Sequence, residues 1–148
     1  MFQVLFTTRV ELDWTDNIGF TATARQFSGL KIDEPVEFHG KDKGPSPVEY
    51  FAIGIGGCLG TSFAYCLKKM DVPFKGMKIA IDVDMHHADE SGGGVLRITG
   101  VTAEINVTLE ENGDEEVLDL CIDSFKKYCV VTQSVMAGVP VIVKITHE

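Results

Sequence analysis

The sequence predicts an α+β fold of mostly antiparallel strands with helices packed on them. Three observations carry this. Alternating apolar and polar residues mark strands in several places. A long, almost uncharged stretch in the middle of the chain is bounded by helix start and stop signals. The order of elements is strands, helix, strands, helix, strand, which segregates helices from a sheet rather than alternating them with parallel strands.

Taken in order, Phe2 to Leu12 is β-branched and aromatic and reads as a strand. Trp14-Thr15-Asp16-Asn17 reads as a turn with Gly19 behind it, and Phe20 to Ala24 as the returning strand of a hairpin. Lys31 to Phe38 is a third short strand, confined by Pro35 to an edge, and His39 to Gly44 is a polar loop. Ser46 fits a helix N-cap, Pro47 the first helical position and Glu49 the third residue of a capping box. This helix should run to about Met70, before Pro73. Met77 to His87 is a strand with Ile79, Ile81, Val83 and Met85 on one face and Lys78, Ala80, Asp82 and Asp84 on the other. Ala88 to Gly94 makes a hairpin loop and Val95 to Leu109 returns. Glu115 to Tyr128 is an amphipathic helix, with Val117, Leu118, Cys121, Ile122 and Phe125 at helical spacing. A short helix from Val130 to Ala137 ends at Gly138, and Val139 to Thr146 is a closing strand.

The 148 residues suit one domain, 1–148, or one half of an intertwined dimer. A net charge of −9 and a pI near 4.8 argue against nucleic acid or anionic membrane surfaces as partners. The N-terminus lacks the pattern of a secretory leader, so the four cysteines do not read as an extracellular disulfide framework. A cytoplasmic location is expected, where disulfides are transient and functional. Tyr50 to Leu67 is long and apolar enough to be mistaken for a membrane span, but reads better as a buried helix at the centre of a soluble fold. Its four glycines, Gly54, Gly56, Gly57 and Gly60, cost roughly 1 kcal/mol each in a helix interior. Close approach of another helix, across a dimer axis for instance, is the expected compensation.

The residues with the most chemical potential are two thiols, Cys58 inside the glycine-rich helix and Cys129 beyond the second helix. Residue types alone leave them between two ordinary buried cysteines and one redox centre. Cys58 is too deep in its helix for the dipole to acidify it, so activation requires a nearby cation, with Arg9, Arg25 and Arg97, from this chain or from a partner chain, as the candidates. Cys129 sits near a positive helix end if Val130 begins a helix, and near a negative one if not. Glu49 is nine residues before Cys58, on the opposite side of a straight helix, and needs no role beyond the cap. Cys66 and Cys121 read as core residues. No histidine or cysteine spacing suggests a metal site, and Gly92-Gly93-Gly94 is a hairpin tip rather than a phosphate loop.

The Gly-Pro-Ser-Pro-x-Glu start at Gly44, the Gly-Gly-Cys at Cys58 and the Tyr-Cys-x-Val run at Cys129 together resemble the OsmC/Ohr family, over nearly the whole chain. The resemblance implies an intertwined homodimer with two long central helices, and thiol-dependent peroxidase activity on organic hydroperoxides. It assigns Cys58 as the peroxidatic cysteine and Cys129 as the resolving one, with Glu49 as a possible accessory. The peroxidase branches carry a glutamate where this chain has Val48, and an arginine near a first turn that here has none. No metal or organic cofactor is implied. An external dithiol is the expected reductant, and the substrate should be small and apolar, held by Ile53, Ile55, Phe63 and the partner. The alternatives are a non-catalytic small-molecule-binding dimer on the same fold and a structural dimer with inert thiols.

Overall fold

A computed structural model describes residues 3–89 and 94–148. The chain divides into two compact units, Met1–Phe51 and Ala52–Glu148. Phe2 and most of the tip of the expected 88–94 loop lie outside the described residues.

In the first unit, β1 (Glu11–Asp16), β2 (Gly19–Ala24) and β3 (Phe27–Ile32) form an antiparallel sheet in the order β1-β2-β3. The first strand lies later than expected, because a strand exists only where a partner completes its ladder and β2 pairs with Glu11 to Asp16. The residues expected to turn, Trp14 to Asp16, are in the strand, and the reversal falls at Asn17, whose φ is 51°. Trp14 Nε1 donates to the Asn17 carbonyl at 2.9 Å and fixes it. The third strand ends at Ile32, and Val36–Phe38 is a 3₁₀ turn instead of its continuation. The loop that follows is organised by Asp33, which is 4% exposed. Its carboxylate accepts from the N–H groups of Glu34, Lys41 and Lys43 at 2.8, 3.2 and 3.2 Å. Burial alone would raise its pKa, but these three donors hold it below the usual aspartate value.

Helix α1 spans Pro47–Lys69 and starts as the sequence dictates. Glu49 N–H donates to Ser46 Oγ at 3.2 Å and Ser46 N–H donates to Glu49 Oε1 at 3.0 Å, a reciprocal capping box. By length and composition α1 could cross a membrane.

The second unit pairs β4 (Phe74–His87) with β5 (Leu96–Leu109) as a long antiparallel ribbon. α1 lies against β4. A Cβ on Gly56 would meet Ile81 Cγ1 at 3.0 Å, and one on Gly60 would meet Ile79 Cδ1 at 2.7 Å. Two of the four glycines therefore serve contact with a strand, not with a helix. Gly54 and Gly57 have nothing within 4 Å of a built Cβ.

Helix α2 (Glu115–Ser124) is capped by Asp114, whose Oδ1 accepts from Glu116 and Val117 N–H. The expected continuation to Tyr128 tightens into a 3₁₀ turn over Phe125–Tyr128, and α3 covers Val130–Met136. Ile122, expected on the core face, is 40% exposed. Between Glu115 and Met136 the buried side chains are Cys121, Phe125 and Cys129, of which the two cysteines are fully buried. The closing strand expected over 139–146 is not formed: Val141, Ile142, Val143 and Ile145 are 75–88% exposed. Its β-branched composition suits a strand, but among the described residues no strand pairs with it.

Candidate functional site

Cys58 sits midway along α1 and is half-buried. It faces the start of α3. Val131 N–H points at Cys58 Sγ from 3.5 Å, one of the amides that a helix N-terminus leaves without an intrahelical partner. Cys129 occupies the N-cap position of α3 and is completely buried. Its thiol donates to Thr132 Oγ1 at 3.1 Å, and it lies close enough to Cys58 to favour the Cys58 thiolate. The two thiols read as candidates in the sequence are thus direct neighbours.

Partial burial pushes the Cys58 pKa up. Against it act the Cys129 thiol, the Val131 N–H, the Ser62 hydroxyl and the Val130 N–H, and together they bring it below the ordinary cysteine value. These donors are all neutral. Within the single chain the causes that lower the Cys58 pKa are hydrogen bonds, and neither Arg9, Arg25 nor Arg97 is among them. Ser62 lies one helical turn after Cys58 on the same face, a spacing visible in the sequence. The amides of Val130 and Val131 carried no such signal, since their position depends on how the second helical segment docks.

Of the arginines considered, Arg97 donates to the Leu96 carbonyl at 2.9 Å, and Arg9 pairs with Glu11. Arg25 lies over the Phe27 ring, 5.1 Å from its centroid. The Glu49 carboxylate is engaged in the cap. Ile55 and Phe63, expected to line a substrate pocket, are core residues at 4% and 3% exposure. Phe63 stacks on Phe125 with ring centroids 4.7 Å apart. Ile53 is exposed. A depression of about 600 Å³ lies at the other end of α1, lined by residues including Tyr65, Lys68, Val72 and Phe74. Among the described residues no cluster of three or more His, Cys, Asp or Glu could hold a metal ion.

Cys66 and Cys121 are not two independent core thiols. They form a disulfide with Cα atoms 5.9 Å apart, joining α1 to α2. Helical periodicity put each on an apolar face but could not show that the two faces meet.

The family model described as OsmC-like protein matches residues 40–144. No curated protein matched the chain. Several solved structures share its fold. An OsmC-like protein from Mycoplasma pneumoniae has a TM-score of 0.71 at 14% identity, covering 92% of this chain and 91% of its own. The organic hydroperoxide resistance protein OhrB of Bacillus subtilis has a TM-score of 0.62 at 22% identity, covering 91% and 94%. An organic hydroperoxide resistance protein OsmC from Legionella pneumophila has a TM-score of 0.64 at 15% identity, covering 90% and 91%. At these identities the structural likeness establishes the fold.

Proposed function

Because this chain belongs to the OsmC-like family, we propose that it is a thiol-dependent peroxidase for organic hydroperoxides, with Cys58 as the attacking thiol and Cys129 as the resolving one. The observation that supports this reading is the meeting of Cys58 with the start of α3, where Val131 N–H donates to Cys58 Sγ at 3.5 Å and Cys129 is the N-cap residue. The Cys58 thiolate attacks the distal oxygen of a hydroperoxide. The O–O bond breaks, Cys58 becomes a sulfenic acid, and the alkoxide leaves and takes up a proton as the alcohol. The Cys129 sulfur then attacks the sulfenic sulfur, its proton leaves with the hydroxyl as water, and a Cys58–Cys129 disulfide forms. An external dithiol returns both to thiols by exchange. A cytoplasmic location supplies such a reductant.

A homodimer is part of the same reading. The 139–146 segment is apolar, β-branched and unpaired among the described residues, and Val4, Leu5 and Phe6 at the other end are 74–86% exposed. A second copy supplies strands for these edges, and a helix for the open Gly54–Gly57 face of α1.

Stoichiometric cumene hydroperoxide tests the chemistry. Wild-type protein loses two titratable thiols per chain, and Cys58→Ser keeps the single thiol that remains to it. Cys129→Ser still consumes peroxide once but accumulates oxidised Cys58 without an intramolecular disulfide. A thiol titre unchanged by peroxide in the wild type refutes the reading and leaves a binding or purely structural dimer.

A further inference from the structure

The four cysteines form two rungs between the same two segments. Cys58 and Cys66 are eight residues apart on α1, and Cys121 and Cys129 are eight apart on the segment that runs from α2 to the start of α3. Eight residues of helix advance about 12 Å, so the rungs are separate and cannot exchange directly. Between them sits the Phe63–Phe125 stack. The buried side chains that fasten this second segment are Cys121, Phe125 and Cys129. Leu120, Ile122 and Tyr128 beside them are 40–70% exposed. Beyond the Cys66–Cys121 bond, the phenyl ring and the resolving thiol, the segment is held by half-buried Val117, Leu118 and Ser124, so the disulfide is its one covalent tie to α1.

We infer that the Cys66–Cys121 disulfide is a redox-controlled positioning bond that holds Cys129 and the α3 amides against Cys58. This rests on the functional reading above for its consequence, though not for its geometry. With the bond intact, Cys129 is held at high effective concentration beside Cys58. With it reduced, the segment keeps only its non-covalent contacts. A Cys58 sulfenic acid then waits longer for its partner and is open to further oxidation to the sulfinic acid. Cys66 is half-buried while Cys121 is sealed, so attack by an outside thiolate falls on the Cys66 sulfur. A small dithiol opens the bond: its first sulfur joins Cys66 and releases Cys121 as thiolate, and its second sulfur displaces Cys66. Two electrons pass from dithiol to cystine, two protons end on Cys66 and Cys121, and the dithiol leaves as its cyclic disulfide. The oxidised dithiol reverses every step.

The test equilibrates wild-type protein with mixtures of reduced and oxidised dithiothreitol, quenches by alkylation, and counts by mass spectrometry the four states in which each disulfide is open or closed. Coupling is expected: closing Cys66–Cys121 favours closure of Cys58–Cys129 by about tenfold. Populations that multiply independently overturn the proposal, as does purified oxidised protein without the Cys66–Cys121 link. The double variant Cys66→Ala/Cys121→Ala, checked for folding by circular dichroism, should lose a similar factor in Cys58–Cys129 closure. It should also accumulate more Cys58 sulfinic acid, relative to the Cys58–Cys129 disulfide, than wild type does under excess cumene hydroperoxide. Because the dithiothreitol equilibrium involves no peroxide, failure of the peroxidase reading and failure of this one are read separately.

Discussion

The two faces of α1 make opposite demands on its glycines, and alanine substitution reads the difference. Gly54 and Gly57 are exposed, and a Cβ at either meets nothing within 4 Å in a single chain. On helix propensity alone, Gly57→Ala should therefore stabilise by about 1 kcal/mol. In a protein of this size that raises Tm by about 2–4 °C. If a second copy packs its helix on this face, as the dimer reading requires, the added methyl enters a close contact. Overpacking of that kind costs about 1–3 kcal/mol, which cancels or exceeds the propensity gain. Twofold symmetry places the same methyl on both sides of the contact. The double variant Gly54→Ala/Gly57→Ala is thus expected to show a lowered Tm and a weaker dimer by analytical ultracentrifugation across a dilution series. Calorimetry gives Tm at the same concentrations. A Tm that rises by several degrees with unchanged mass is the behaviour of a free helix face, and would refute the helix–helix contact.

Three further outcomes are expected. The rate of Cys58 alkylation by iodoacetamide should rise tenfold per pH unit and level off at a lower pH in the folded protein than in the denatured chain, because the hydrogen bonds at Sγ lower the folded-state pKa; a folded midpoint at or above the denatured one removes the donor-network argument. Ser62→Ala and Cys129→Ala each delete a donor and should move this midpoint upward, read by the same assay. The Asp33 carboxylate has a depressed folded-state pKa, so its contribution to stability is present above the unfolded value of about 3.9 and is lost as pH falls through the folded one. Asp33→Asn should therefore lower Tm at neutral pH and flatten its acid dependence, and an unchanged acid limb would count against the loop-organising role.

What the sequence determined by itself is what neighbours along the chain decide. Ser46, Pro47 and Glu49 start α1 through hydrogen bonds that span three residues, and the period-two pattern from Met77 gives β4 a face that meets the helix. Motif spacing also sufficed to single out Cys58 and Cys129 and to indicate the family. Tertiary structure decided the rest, because it rests on which faces meet. The Val131 amide reaches Cys58 across 73 positions of sequence, and Cys66 finds Cys121 across 55. Neither periodicity nor propensity carries information over such separations. Nor could they tell which glycines press on a strand and which stay open, or that the β-branched 139–146 run would find no partner among the described residues of its own chain. A strand is half of a pair, and composition describes only one half.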